Sequence, residues 1–454
     1  MKIEIKINET DRRADGLASV NIEVPALALS YNLHLPFDDL FERCGTPDDL
    51  NLDLLLTASL CYVADKLIPR REFYDAWTRT LEIEFSIKDV KLWRGISDSL
   101  TKALNFLTGD DWQISFKQRK EKLFQAPTPK KRRKPLPPSP KNIDAVCSFS
   151  GGLDSLIGAI ELLEDSKIKG LRLVGHYDAP GAKKPQSELF EIVSRNYPGK
   201  SELFQVRVSH KPVKANESTL RSRSFVFIAI GLFIARASND KIPFYMPENG
   251  FIALNVPLTP SRVGACSTRT MHPYFLDKIQ EVIKGLGIEN SIINPLELKT
   301  KGEAVEDCSN LILLRSIADL SVSCSHGMRK QLWVRRKSEY KNCGYCFPCL
   351  IRRAALHKVN FDNPGMYGID VCRGEMFQTD QTDSSNDLRA VISALRSNKT
   401  FKDFRKDIMS VASVNRMEER SKMIERGFRE IKSLLQEKST EDVLQNMGLT
   451  KSRK

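Results

Sequence analysis

Ser148-Phe149-Ser150-Gly151-Gly152-Leu153-Asp154-Ser155 is the stretch on which the reading of this chain turns. Residues 145–149 form a short apolar strand, and residues 153–163 carry helical spacing. Two glycines at a strand-to-helix turn allow positive φ and close approach of the backbone to a ligand. The free N–H groups that open the helix, with its dipole, then face an anion. Ser150 and Ser155 add hydroxyl donors, and Asp154 is placed to hold Mg²⁺ or to order the turn. The competing reading is a plain tight turn capped by Asp154. The Gly-Lys-Ser/Thr of a Walker loop is absent.

Outward from this turn, strands and helices alternate in the manner of a parallel α/β sheet. Strands are expected at 171–177 and 203–208, with shorter ones at Phe244-Tyr245 and Ile292. Helices are expected at 188–196 and 219–237. The apolar run 225–235 is too short to cross a bilayer and reads as a buried helix. Residues 143–382 are therefore one α/β domain. Before it, residues 1–118 alternate apolar with polar at Ile3/Ile5/Ile7, Val20/Ile22/Val24, Leu81/Ile83/Phe85/Ile87 and Trp112/Ile114/Phe116. Helical spacing at 50–67 and 97–107 separates these strands, giving a small α+β accessory domain. Residues 119–142 are a Pro-rich basic linker with the run Lys130-Lys131-Arg132-Arg133-Lys134, read as a solvated spacer or a nucleic-acid contact. Residues 383–454 read as an accessory helical tail, with helices at 388–395 and 417–436.

The 454 residues are 41% hydrophobic, with 22 Phe and 4 Trp, which excludes a wholly disordered chain. A net charge of +13 favours an anionic partner such as a nucleotide, an acidic protein or, secondarily, nucleic acid. Ten cysteines are too sparse for a disulfide scaffold. No apolar signal core opens the chain, so a cytoplasmic protein without a membrane partner is expected. No Ser-His-Asp triad or paired-carboxylate hydrolase is apparent.

Three of the cysteines, Cys343, Cys346 and Cys349, fall within seven residues in C-x2-C-x2-C spacing. Cys324 is the expected fourth ligand, with Cys308, Cys372 and His326 as competitors. Four thiolates close a tetrahedral zinc site with no position for water, so the metal is expected to be structural. An iron–sulfur cluster fits the spacing less specifically. Cys44, Cys61, Cys147 and Cys266 read as small buried hydrophobes.

Other candidates carry two readings each. Arg221 and Arg223 open the long apolar helix, where they would oppose its dipole unless they clamp a phosphate or carboxylate. Glu248-Asn249-Gly250 ends a strand: the carboxylate suits the N–H edge of a guanine-like base, or the three residues form a turn. The polar stretch 267–272, with Arg269, reads as a substrate loop, while His272 before Pro273 reads as a turn histidine.

Residues 148–155 resemble the loop of the N-type ATP pyrophosphatase (PP-loop) superfamily, which releases pyrophosphate and leaves AMP on the substrate. Together with Cys343-Gly344-Tyr345-Cys346-Phe347-Pro348-Cys349, ending at Arg352, the chain is similar to the 7-cyano-7-deazaguanine synthase (QueC) family over about residues 144–353. His176-Tyr177-Asp178 with Gln186-Ser187-Glu188-Leu189 falls at that family's second-strand motif. Ser222-Arg223-Ser224 resembles its Arg-Asn helix start, and Pro295-Leu296 with Lys301-Gly302-Glu303 its late lysine motif. Residues 179–185 interrupt the second motif, Ser224 replaces the usual Asn, and the flanking domains are foreign to the simple enzymes. An enlarged layout of this kind resembles the QueC-like components of Qat anti-phage defence systems.

The resemblance implies a ligase that uses ATP, Mg²⁺ and structural Zn²⁺ to adenylate 7-carboxy-7-deazaguanine or a related carboxylate. A nitrogen nucleophile then forms an amide or nitrile, or a conjugate on a partner protein from the same operon. It implies catalytic roles for Asp154, Ser155, Lys301 and Arg223. ATP would be held by Ser148, Ser150, Gly151, Gly152, Leu153, Asp154, Ser155, His176 and Tyr177, and the substrate by Arg221, Glu248, Asn249 and Arg269. Lys301 has a surface lysine as its bland alternative. A tRNA-thiolating adenylase and a non-catalytic nucleotide-binding scaffold are the competing functions.

Overall fold

The computed structural model describes residues 2–9, 18–35, 37–45, 48–119, 139–177, 180–211, 217, 221–259, 269–326, 341–380, 382 and 385–450. The basic run 130–134 and the first two residues of the 267–272 stretch, Ser267 and Thr268, lie outside them, as do Asp178 and Cys266.

The four alternating stretches of the first unit are strands: β1 (Lys2–Glu9), β2 (Ala18–Val24), β4 (Thr80–Ile87) and β5 (Asp111–Gln118). Another strand, β3 (Leu29–Leu35), lies between them. With them run the helices α1 (Phe37–Cys44), α2 (Asp49–Leu67), α3 (Val90–Gly95) and α4 (Ser97–Thr108). The sheet is mixed, in the order β5-β4-β1-β2-β3, and β9 (Ser209–Lys211) closes it beyond β3. That last strand comes from the second unit, so the expected boundary at residue 118 does not separate two independent bodies.

The second unit has a five-stranded parallel sheet. Its strands are β6 (Ala145–Ser148), β7 (Leu171–Tyr177), β8 (Ser201–Arg207), β10 (Phe244–Tyr245) and β11 (Ile292–Ile293). They lie in the order β11-β10-β6-β7-β8. On one face, Ala145, Cys147, Leu171 and Leu173 share a core with α5 (Leu153–Glu164) and α6 (Pro180–Asn196). On the other, Val146, Val174, Phe204 and Phe244 meet α7 (Arg223–Ser238). Helix α6 begins eight residues earlier than expected: Pro180 suits a first helical turn, and the helix continues through Pro185.

Helices α2 and α7 have no separate polar face, and each is buried almost throughout. Burying a Leu, Ile or Phe side chain is worth about 1.5–3 kcal/mol, so neither helix has a face to leave in water. They pack on one another between the two sheets, joined by contact of α4 with α9 (Pro273–Gly285). A buried ion network marks the seam. Asp65 accepts from Arg79 and, across the units, from the Ser222 amide and hydroxyl at 2.9 Å each. Asp110 binds both Arg70 and Arg79.

The C-terminal helices correct the expectation of an accessory tail. They are α13 (Asn386–Arg396), α14 (Phe401–Val411), α15 (Met417–Lys438) and α16 (Glu441–Met447). They share one core with Cys343, Cys346, Cys349 and the short α8 (Gly250–Leu254). Alongside lie α10 (Lys301–Glu306) and α12 (Phe347–Lys358), while α11 (Leu311–Ile317) packs against α5. The apolar stripe of α15, including Met423, Ile431 and Leu435, is what draws the segment inward. Among the described residues no helix is long and apolar enough to cross a membrane.

Candidate active site and metal centre

The turn after β6 has the geometry its glycines predict. Gly151 adopts φ +85°, and a Cβ there would lie 3.2 Å from Pro185 Cβ and 3.3 Å from the Gln186 amide, so α6 presses directly on the turn. Gly152 begins α5 with no side-chain cap, which removes the reading of Asp154 as a simple turn cap. The Gly152 amide donates to Ser150 Oγ at 3.3 Å, and the Leu153 amide to Ser323 Oγ at 3.3 Å. Ser150 donates to Ser155 Oγ, which in turn donates to the Gly152 carbonyl. Among the described residues the amides of Asp154 and Ser155 meet no acceptor, so the positive end of a twelve-residue helix remains available to an anion.

Instead of capping, Asp154 reaches across the sheet. Its Oδ2 accepts from Lys301 Nζ at 2.9 Å and from Asn249 Nδ2 at 2.8 Å. Its Oδ1 is buried with no hydrogen-bond partner among the described residues. Lys301, only 5% exposed at its side chain, is the first residue of α10, where Thr300 and Glu303 form a reciprocal cap. Glu430 of α15 accepts from Thr300 Oγ1 at 2.6 Å and from the Gly302 amide at 3.2 Å, and Arg426 pairs with Glu303. The C-terminal helices thus brace the lysine.

Glu248 precedes Asn249, its backbone held at both N–H and C=O by the Asn294 amide. Burial first, then the charge of Asp154, pushes its carboxyl up to about 8, with Lys301 opposing. At neutral pH it is mostly protonated, not the carboxylate expected from the sequence. Topology explains the gathering. The chain leaves β6 toward β7 and β8 on one side, while β10 and β11 lie on the other, so the loops after β6 and β10 diverge. In open parallel sheets such a switch point is where a crevice opens at the carboxyl ends of the strands. Close approach holds the two sides together: a Cβ on Gly158 of α5 would fall 2.0 Å from Pro247 Cγ.

Other expected site residues lie elsewhere. Arg221 donates to the Thr108 carbonyl at 2.8 Å and stacks over Trp77, and Arg269 donates to the Phe106 carbonyl at 2.6 Å and stacks over Phe106. Both lie at the seam with the first unit, where buried helix-end carbonyls need donors. His176 is buried on the α7 face, its ring 5.3 Å from Phe227 and 5.9 Å from Tyr62, away from the face on which α5 packs. Tyr177 is half-buried beside Lys183, and Ser148 ends β6. Arg223 is partly exposed over Phe227 at the start of α7. His272 is the turn histidine expected: its Nδ1 accepts from the Tyr274 amide, and burial lowers it to about 3.

The cysteine centre is assembled as the spacing predicts. The four Sγ atoms of Cys324, Cys343, Cys346 and Cys349 lie within 4.8 Å of one another, so among the described residues Cys324 is the one that joins the triplet. The pairs Cys324–Cys346 and Cys343–Cys349 are 3.9 and 3.8 Å apart. A tetrahedral zinc with Zn–S of about 2.3 Å requires sulfur separations of about 3.8 Å, so the donor set fits a structural metal such as zinc. Amides of Cys343 and His326 donate to Cys324 Sγ, and that of Cys346 to Cys343 Sγ, as a thiolate site needs. Gly344, at φ +89°, permits the tight turn and lies so near the Ile369 carbonyl that a Cβ would clash at 2.1 Å.

Sequence reasoning passed over Ser321, Val322, Ser323 and Glu430. Polar residues in loops and on a helix carry no local signal for contacts that span more than a hundred positions. Comparison of the chain with protein-family profiles, curated proteins and solved structures gives no match.

Proposed function

We propose that the chain is an ATP-dependent ligase of the PP-loop type, resembling QueC-like enzymes of Qat anti-phage defence, that adenylates a 7-deazaguanine carboxylate. The observation that carries this reading is the convergence of Asp154, Lys301, Asn249 and Glu248 at the sheet's switch point, beside the open amides of Asp154 and Ser155. In this reading the amides and the Ser150 and Ser155 hydroxyls hold the departing diphosphate, and Lys301 neutralises charge that grows on it. The buried Asp154 Oδ1 is the atom that would hold Mg²⁺, which supplies further charge neutralisation when bound. Glu248, close enough to feel the charges of Asp154 and Lys301, reads the N–H edge of the base in this scheme, losing its proton as it accepts.

A carboxylate oxygen of the bound acid attacks the α-phosphorus, the bond to the β-phosphate oxygen breaks, and pyrophosphate leaves. A nitrogen lone pair then attacks the acyl carbon, AMP departs with the C–O electrons, and the nitrogen gives up a proton. Four cysteines gathered for a closed metal site are poorly placed for sulfur transfer, which disfavours a tRNA-thiolating role. The test is pyrophosphate release from ATP with and without 7-carboxy-7-deazaguanine, with the mass of an operon partner followed in parallel. Release that depends on the acid supports the proposal, and a partner mass increase makes that protein the nucleophile. No release under either condition refutes adenylation and leaves a nucleotide-binding scaffold.

A further inference from the structure

We infer that the cysteine centre also sets the shape of the Gly151-Gly152 turn, so that metal occupancy controls how well ordered the phosphate-facing amides are. The link is the irregular strip 321–324, which ends in the ligand Cys324. Its Val322 amide donates to the Gly151 carbonyl at 2.8 Å, and its Ser323 hydroxyl accepts from the Leu153 amide. Both partners are residues of the turn.

The strip itself is held from the two ligand-bearing segments on its other side. Asn342, the residue before Cys343, accepts from the Ser323 amide at 3.1 Å and donates to the Ser321 carbonyl at 3.2 Å. Arg352, three residues after Cys349, donates to Ser321 Oγ at 2.7 Å, Ser323 Oγ at 3.5 Å and the Ala318 carbonyl at 2.5 Å. This arginine is fully buried, and among the described residues its hydrogen-bond partners are all neutral oxygens. It therefore places a positive charge directly behind the hydroxyl that touches the turn, where an anion on the far side would feel it.

Without a metal, four closely gathered thiol sulfurs have no common ligand. The strip, with no helix or strand of its own, then loses one anchor at Cys324 and has its Asn342 and Arg352 anchors loosened. The turn should follow, because two of its backbone groups are tied to the strip. Arg352 and Ser323 are accordingly positioning residues, acting through the turn.

The experiment is hydrogen exchange of the full chain, read on peptides covering 147–156, with zinc content measured on the same samples. In zinc-loaded protein without nucleotide the hydrogen-bonded amides of this stretch, the Leu153 amide among them, should be protected. After chelation they should exchange about tenfold faster, the worth of roughly one lost hydrogen bond, while α2 and α7 stay protected. Unchanged exchange at 149–155 in zinc-free protein overturns the inference. Should chelation expose α2 and α7 as well, the decision passes to Ser323→Ala and Arg352→Gln with zinc retained. Faster exchange confined to the turn then supports the inference, and no change overturns it. A second arm titrates Mg·ATP into loaded and depleted protein. The inference about nucleotide affinity rests on the proposed function, but the exchange arm does not. ATP failing to bind zinc-loaded protein refutes the nucleotide reading alone, and equal affinity in both forms with a loosened turn limits the coupling to structure.

Discussion

Asp154 and Glu248 show how neighbouring carboxyl groups are given different work by their surroundings. Asp154 is paired directly with Lys301, whereas Glu248 is largely buried, feels Asp154's negative charge, and has no hydrogen bond to its carboxyl among the described residues. Asp154→Ala should lower pyrophosphate release about a hundredfold or more, the usual cost of losing a preorganised charge contact, with the circular dichroism spectrum unchanged. Retained release would move the catalytic charge elsewhere. For Glu248 the consequence is a pH dependence of stability. Its carboxyl titrates near 8 in the folded chain against 4.5 ordinarily. Between those values the folded chain keeps a proton that the unfolded chain has released, so stability falls as pH rises through that window. Glu248→Gln should therefore unfold at a higher temperature than the parent near pH 9, the gap closing as pH falls toward about 5. A gap independent of pH would show that this carboxyl titrates normally. The same proton should be released when a ligand donates N–H groups to Glu248, measurable as buffer-dependent heat of binding.

Among the elements, α5 is the one whose sequence and placement agree most closely. Its start at Leu153 and its length follow from the glycine turn and the apolar spacing, and both were legible before any coordinates. What spacing could not convey is that Gly158, mid-helix, is small because Pro247 packs into it. Gly158→Ala should be destabilising by about 1–3 kcal/mol despite alanine's better helix propensity, because the added methyl must displace a loop that carries Glu248 and Asn249. Urea unfolding checks the sign; a stabilised variant would mean that the loop yields freely. Helix α10 teaches the complementary lesson. Thr300 and Glu303 read locally as a capping box, but the partner that braces this helix is Glu430, 130 positions away on a helix that had looked peripheral.

For the whole molecule, the first unit is structurally inseparable from the second. It receives β9 in its sheet, packs α2 on α7, and satisfies Arg221 and Arg269 with its own carbonyls. Asp65→Ala would leave Arg79 with one fewer counter-charge and strip the Ser222 amide of its acceptor, at a cost of about 3–5 kcal/mol for breaking a buried ion pair. Equilibrium unfolding measures this, and a change below about 1 kcal/mol, typical of exposed pairs, would show that the seam is hydrated. Residues 119–454 expressed alone should aggregate, since α7 would lose the cover of α2 and expose apolar surface to water. A soluble monomer on size exclusion would contradict this.

By itself the sequence determined the α/β class, the strand-turn-helix around Gly151 and the cysteine triplet, since each is written in periodicity or spacing over a few residues. Tertiary structure alone decided that Asp154 meets Lys301 across 147 positions and Leu153 meets Ser323 across 170. It also decided that Arg221 and Arg269 serve a seam and that the last helices belong to the core. The reason is physical: a polar or charged residue carries the same local signal whether water, a carbonyl or a carboxylate awaits it. Strand order and burial choose among them.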